Sequence, residues 1–287
     1  MPVVAVNRDA EAADAAQPPA LRPQTLILAL YGDYILGTAA CIYSGSLVDV
    51  AARVDVAEHA ARSTLARMVN RGLLRRQRSG RRMYFGLTPH SERILVDGGT
   101  RAFETGAVNH NWDGTWTLLA FSLPDSWQRQ RHDLRSQLAW AGFGPLQGGL
   151  WIAPGGPDVA ALVAGLGLEA HVRVFRAHAD QLTDVAQLIR DAYDVDGLAA
   201  RYEEFLKRWD RPADPARSLD PLAAKLRLVA DWLQIVRRDP HLPVQHLPKD
   251  WPAVRAQEVF LRLDESLRGP AAEVAAQVLE TMPGEAG

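Results

Sequence analysis

The chain has 287 residues, 47% of them hydrophobic and 23% charged, with a formal net charge of −2. That length can bury a sizeable core and hold two or three domains. The single cysteine, Cys41, excludes an intrachain disulfide and a four-cysteine zinc site, as expected of a cytoplasmic protein in a reducing compartment.

The first 23 residues, MPVVAVNRDAEAADAAQPPALRP, are rich in Ala and Pro and lack a basic segment followed by an apolar core. They predict a disordered tail (1–23), not a signal peptide. No stretch approaches the ~18 uninterrupted apolar residues of a membrane span, so no membrane partner is expected.

TLILALYGDYIL (25–36) reads as a largely apolar helix. In SLVDVAARV, Ser46 stands three residues before Asp49, a capping-box spacing that predicts a second helix from near Leu47. Asp55 and Glu58 repeat the spacing and predict a third helix from near Val56. At 100° per residue, Ala61, Leu65, Met68 and Val69 fall on one side of that helix. His59, Arg62, Ser63, Ala66, Arg67 and Asn70 fall on the other, and Gly72 is placed to end it. LLRRQR, a Ser79-Gly80 turn and RRMYFGL then predict a hairpin with Arg78, Arg81 and Arg82 near its tip.

Charge is concentrated here. Residues 62–90 carry eight arginines and no acidic residue. From Arg53 to Arg93, ten arginines oppose Asp55, Glu58 and Glu92, so +10 − 3 = +7, and the rest of the chain sums to −2 − 7 = −9. A basic patch on an acidic protein is the footprint of a polyanion partner. Three helices and a basic hairpin predict a winged helix-turn-helix domain over 24–100 that binds double-stranded operator DNA. The predicted contacts are His59, Arg62, Ser63, Arg67, Asn70 and Arg71 on the third helix and Arg78, Arg81 and Arg82 on the wing. RNA is the weaker reading, because no aromatic stacking platform is interleaved with the arginines.

The middle segment reads strand (Thr115–Ser122), helix (DSWQRQRHDLRSQLAWAG), two short strands (FGPLQGGLWIAP), helix (from Pro157 or Asp158) and strand (170–179). That β-α-β-β-α-β order predicts a ferredoxin-like domain over 112–180, with an edge or face for a homodimer. Some such domains are metal-dependent nucleases with an Asp ending the first strand; this chain has Ser122 there, with Asp113 and Asp125 nearby. A nuclease targeted by the winged domain is therefore the alternative function, although acidic residues at strand boundaries usually form turns or caps. The histidine pairs His171/His178 and His241/His246 lack an obvious third ligand, so neither a metal nor a resident cofactor is expected.

From 181 to 282 the pattern is that of a helical domain. Leu198, Tyr202, Phe205, Leu206 and Trp209 form one stripe, and Leu222, Leu226, Val229, Trp232, Leu233 and Val236 another. RPADPARSLDP breaks the pattern between them. A further helix from about Ala253 to Arg268 and a short terminal one complete an α+β, multidomain chain.

GDYIL, ARSTLARMVNRGLL with the wing GRRMYFGLTP, WDGTWTLLAFSLP, LAWAGFGPLQGGLWIAP, DGLAARYEEFLKRW and RDPHLPVQHLPKDWP occur in this order. Together they resemble the PaaX-like regulators, the phenylacetic acid degradation repressor family, over residues 24–268. The resemblance implies a homodimeric repressor of aromatic-catabolism genes, released from its operator by an aryl-CoA thioester such as phenylacetyl-CoA. It implies DNA contacts from Arg62, Ser63 and Arg67 on a reading helix over Val56–Arg71, and from the wing at Gly80–Arg82. Such a ligand needs cations for its phosphates and an apolar slot for its acyl group. Arg237, Arg238, His246 and Lys249 lie close in sequence to Trp232 and Trp251, so these six are the candidate effector residues, with a purely structural prolyl connection as the alternative.

Overall fold

A computed structural model describes residues 22–210 and 220–284. Most of the expected tail, and most of RPADPARSLDP, lie outside the described residues. The chain is mixed α and β and divides into two compact units. One comprises the described residues up to Ser91 together with those from Ala275 onward; the other spans Glu92–Val274.

The first unit opens with α1 (Pro23–Tyr34), started by Pro23 in its first turn, where a missing N–H costs nothing. Leu26 to Tyr31 are all buried, and the Tyr31 hydroxyl donates to the Phe85 carbonyl at 2.7 Å. Strand β1 (Ala40–Tyr43) leads into α2 (Ser44–Arg53), and α3 (Glu58–Asn70) follows. The capping boxes expected at Ser46 and Asp55 do not form. Helix α2 already begins at Ser44, so Ser46 lies in its first turn, where its hydroxyl accepts the Glu280 N–H at 3.0 Å. Asp55 has φ = 60° and cannot join a right-handed helix, so α3 starts after Ala57 instead. Strands β2 (Leu74–Ser79) and β3 (Arg82–Leu87) pair antiparallel with Ser79 opposite Arg82. The two-residue turn is therefore Gly80-Arg81, one step on from the expected Ser79-Gly80, with Gly80 taking the positive φ.

This unit's sheet has the order β2-β3-β1-β8, where β8 is Thr281–Pro283. Cys41, Ile42 and Tyr43 face Gly86, Phe85 and Tyr84 on one side, while Ala40, Cys41 and Ile42 face Pro283, Met282 and Thr281 on the other. Residues Thr281–Pro283 are thus strand and belong to the N-terminal unit, while the short terminal helix expected before them is the end of a longer helix that runs to Val278.

In the second unit, α4 (Pro89–Gly99), which begins in the first, leads through a π-helical turn (Thr100–Thr105) to β4 (Thr115–Phe121). Helix α5 (Gln128–Trp140), β5 (Gly144–Pro145), β6 (Leu150–Pro154), α6 (Val159–Ala164) and β7 (Val172–His178) follow. Every pairing in the sheet β5-β6-β4-β7 is antiparallel. Leu119, Leu134, Leu138, Phe143, Val159 and Val163 form a core between sheet and helices.

The helical part comprises α7 (Val185–Ala192), α8 (Val195–Trp209), α9 (Pro221–Val236) and α10 (Pro252–Val278). Asp184, Asp194 and Asp220 cap the first three, each carboxylate accepting the backbone N–H three residues on. Both expected stripes are core, apart from half-buried Leu206: Trp232 stacks on Phe260 at 4.7 Å and 11°, and Tyr202, Phe205 and Trp209 gather around them. Helix α10 runs through Pro270, past the break expected near Arg268. Its buried row Leu263, Leu267, Ala271 and Ala275 continues in steps of four, and that burial outweighs the hydrogen bond Pro270 cannot donate.

Lys225 and Asp264 form an ion pair with side chains only 6% and 3% exposed. Breaking such a pair strands a charge in the interior. Asp264→Ala should cost about 3–5 kcal/mol in urea unfolding, whereas the double replacement Lys225→Met/Asp264→Leu should recover most of that loss.

Burial pushes the Asp239 carboxyl up to about 6, although the Tyr202 hydroxyl and the His241 N–H both hydrogen-bond its anion. The folded protein therefore holds this proton more tightly than the unfolded chain, whose value is 3.8. The resulting stabilisation is full below about pH 4 and lost as pH rises through 6, in total on the order of 2–3 kcal/mol. Subtracting the pH–stability profile of Asp239→Asn from that of the unaltered protein should isolate this fall.

Candidate nucleic-acid interface

Helix α3 is partitioned as its spacing requires. Ala61, Leu65 and Met68 are buried, together with Thr64, and α3 packs against α1 and α2. His59, Arg62, Ser63, Arg67 and Asn70 are exposed, as is Arg71 just past its end. That end is a Schellman arrangement: the Leu73 N–H bonds the Met68 carbonyl at 2.8 Å, and Gly72 takes φ = 67°. The chain thereby turns directly into β2, so the β2–β3 hairpin follows α3 in the same unit.

The arginines are aimed by neighbours on their own helix. Arg62 Nε donates to Glu58 Oε1 at 2.8 Å, an i,i+4 pair readable from the sequence. Arg67 donates to Ser63 Oγ at 2.6 Å and to Thr64 Oγ1 at 2.9 Å, so its guanidinium lies back along α3. Thr64 was not among the expected site residues, yet it fixes Arg67. On the hairpin, Arg78 Nε donates to the Gly80 carbonyl at 3.0 Å, and Arg81 is exposed in the turn. Arg82 differs from both. It reaches across the sheet to the Glu280 carboxylate, at 2.5 and 2.7 Å, with its guanidinium 5.1 Å from the centre of the Tyr43 ring.

Trp232 and Trp251 are not available as an open acyl slot. Trp232 has no exposed surface, lies against Phe260, and donates its indole N–H to the Ala102 carbonyl at 3.1 Å. Trp251 is 5% exposed, edge-on to Tyr202. Of the polar candidates, Arg238 and Lys249 are exposed, Arg237 is half-buried, and half-buried His246 packs edge-on to Trp112 at 5.4 Å. An open groove of about 690 Å³ lies elsewhere, between α6 and β7. Val159, Val163, Val172 and Val174 line it, together with Arg176.

The acidic and histidine candidates have local tasks. Asp113 Oδ1 accepts the Thr115 N–H at 2.8 Å, and this bonding holds its carboxyl below its usual range. Asp125 faces Arg131 at 4.0 Å in the turn before α5. His171 hydrogen-bonds the Ser122 carbonyl and packs on Trp127, while His178 lies 3.4 Å from Thr115 Oγ1. Among the described residues, no three His, Cys, Asp or Glu side chains are grouped to hold a metal, and no helix is long and apolar enough to cross a membrane.

Three models of one family match successive stretches: PaaX-like protein over residues 22–91, PaaX protein central Cas2-like domain over 109–189, and PaaX-like protein C-terminal domain over 193–277. The chain is 28% identical over 274 residues to the transcriptional repressor PaaX of Escherichia coli (strain K12), covering 91% of this chain and 85% of that one. In fold it is similar to the uncharacterized protein Rv0674 from Mycobacterium tuberculosis. There the TM-score is 0.59 at 20% identity, with 88% of this chain and 98% of that one covered. Since the three matches follow one another in family order and span both units, the chain belongs to the PaaX-like family.

Proposed function

We propose that this protein is a DNA-binding transcriptional repressor of phenylacetate-type aromatic catabolism genes. The observation that carries the reading is the two-sided character of α3. One side is sealed in the core, and the other presents Arg62, Ser63, Arg67 and Asn70 to solvent beside a hairpin tipped with Arg78 and Arg81. Those are the donor types that read base edges and hold phosphates. In this reading residues 24–100, with β8, make a winged helix-turn-helix. Helix α3 enters the major groove and the wing follows the neighbouring backbone. The β-α-β-β-α-β segment over 112–180 is ferredoxin-like and supports a homodimer, which presents its two reading helices ~34–36 Å apart, or a multiple of that, on a palindromic operator.

We infer further that an aryl-CoA thioester releases the repressor by preferring a conformation in which the reading helices are wrongly spaced. The helical domain offers Arg237, Arg238 and Lys249 as cations and His246 as a further polar group, but its tryptophans are committed to the core. The groove between α6 and β7 combines apolar walls with the Arg176 guanidinium, so it could hold an aryl group, although Asp158 and Glu169 also line it and disfavour phosphates there. The nuclease alternative has little support, because Asp113 and Asp125 serve turns and are not gathered with other carboxylates.

The test is binding to the duplex flanking the protein's own gene at fixed salt, with and without phenylacetyl-CoA. Tight binding relieved by the thioester is expected. Arg62→Ala or Arg67→Ala should each weaken operator binding by roughly 1–3 kcal/mol where the guanidinium reads a base, and unchanged binding with both replaced would reject α3 as the reading helix. Arg78→Ala or Arg81→Ala should instead weaken binding on all sequences and lower the salt slope by about 1.

A further inference from the structure

Strand registry brings four side chains onto one face of the N-terminal sheet. Tyr43 on β1 is directly opposite Tyr84 on β3, and its backbone N–H bonds the Glu280 carbonyl at 2.9 Å on the other side. Arg82 stands two residues before Tyr84, so it shares that face. The Glu280 carboxylate spans the row. It accepts from the Tyr84 hydroxyl at 2.7 Å and from Arg82 at 2.5 and 2.7 Å, above a Tyr43 ring that lies 5.6 Å from that of Tyr84. These bonds, from Tyr84 first and then Arg82, hold the Glu280 carboxyl below its usual range, so it is an anion at neutral pH. Arg82 and Glu280 nevertheless keep 56% and 44% of their side-chain surface, so an incoming anion can reach the guanidinium.

We propose that Glu280 is an internal stand-in for a DNA phosphate, which sets operator affinity by occupying Arg82 until DNA displaces it. The inference rests on the wing being a DNA-contacting element, as proposed above. A guanidinium already neutralised by a carboxylate brings no net positive charge to a phosphate, so it releases few of the counterions condensed on DNA. Exchanging one anion for another therefore adds little affinity and little salt dependence. Freed from Glu280, Arg82 becomes a full phosphate contact that acts on every sequence alike. The gain in non-specific binding would exceed any gain in discrimination, so the carboxylate's presence favours selectivity over raw affinity.

Glu280→Gln tests this in the full-length protein, because it keeps an acceptor for Tyr84 and leaves the backbone pairing of Glu280 untouched. The expected result is operator and non-specific duplex binding tightened by about threefold to tenfold at low salt, with the slope of log K against log salt steeper by about 0.9, one phosphate's share. Adding Arg82→Ala to Glu280→Gln should abolish both changes. An unchanged slope in Glu280→Gln overturns the proposal while leaving the DNA-binding reading intact. Weaker binding with a lowered melting temperature also overturns it, since that is the signature of a carboxylate that only clamps the terminal strand. If the unaltered protein binds no duplex in a salt-dependent way, the DNA-binding reading falls and this inference falls with it.

Discussion

The N-terminal unit depends on one backbone requirement. Strand β1 is four residues long, with Cys41 and Ile42 fully buried, so the peptide groups of these two have no access to water along either edge. Each buried N–H and C=O must be paired, and an unpaired one costs about 1–3 kcal/mol. One edge is satisfied by β3, which fixes the hairpin against the helices through Ile42 opposite Phe85. The other is satisfied by β8. The pleat then decides which side chains share a face, and the meeting of Arg82, Tyr43, Tyr84 and Glu280 follows from that registry without any further device.

Electrostatically, the basic region is less free than its arginine count suggests. Arg62, Arg67, Arg78 and Arg82 each have a partner within their own unit: a carboxylate, hydroxyls, a carbonyl and a second carboxylate. Such local bonds at an exposed surface are individually weak, and water or phosphate can replace them at small cost. Their effect is to restrict rotamers. Arg67, bonded to both Ser63 and Thr64, loses less side-chain freedom on meeting a target than an unrestrained arginine would.

Much of this was legible in the sequence, for reasons particular to each element. The exposed face of α3 and the tryptophan and leucine stripes of α8 and α9 follow from helical periodicity, which neighbouring residues carry among themselves. Strands β1 and β8 left no such trace. Four and three residues are too few to alternate, and their partners lie far away: the Glu280 N–H bonds Ser46 across 234 positions. Glu280 was invisible for the same reason, while Glu58, four residues before Arg62, was readable. The capping boxes at Ser46 and Asp55 matched in composition but failed because flanking backbone settled each helix start. Trp232 and Trp251 are ambiguous in the sequence because an aromatic near cations has the same local signature in a binding slot as in a core, and only tertiary packing shows that both are buried.

The placement of β8 also dictates an order of events during synthesis. A ribosome releases the segments of this chain from the N-terminus onward, and a strand can pair only with what has already emerged. Helices α1 to α3 and the hairpin are made early, yet the sheet they rest on lacks its fourth strand until Thr281–Pro283 has been made. A product that stopped between Val278 and Thr281 would contain every described helix of the second unit and every arginine of the basic region. It would still expose an unpaired edge at β1, the type of surface on which chains associate with one another. The integrity of the N-terminal unit is therefore a check, made by the chain itself, that translation has passed β8.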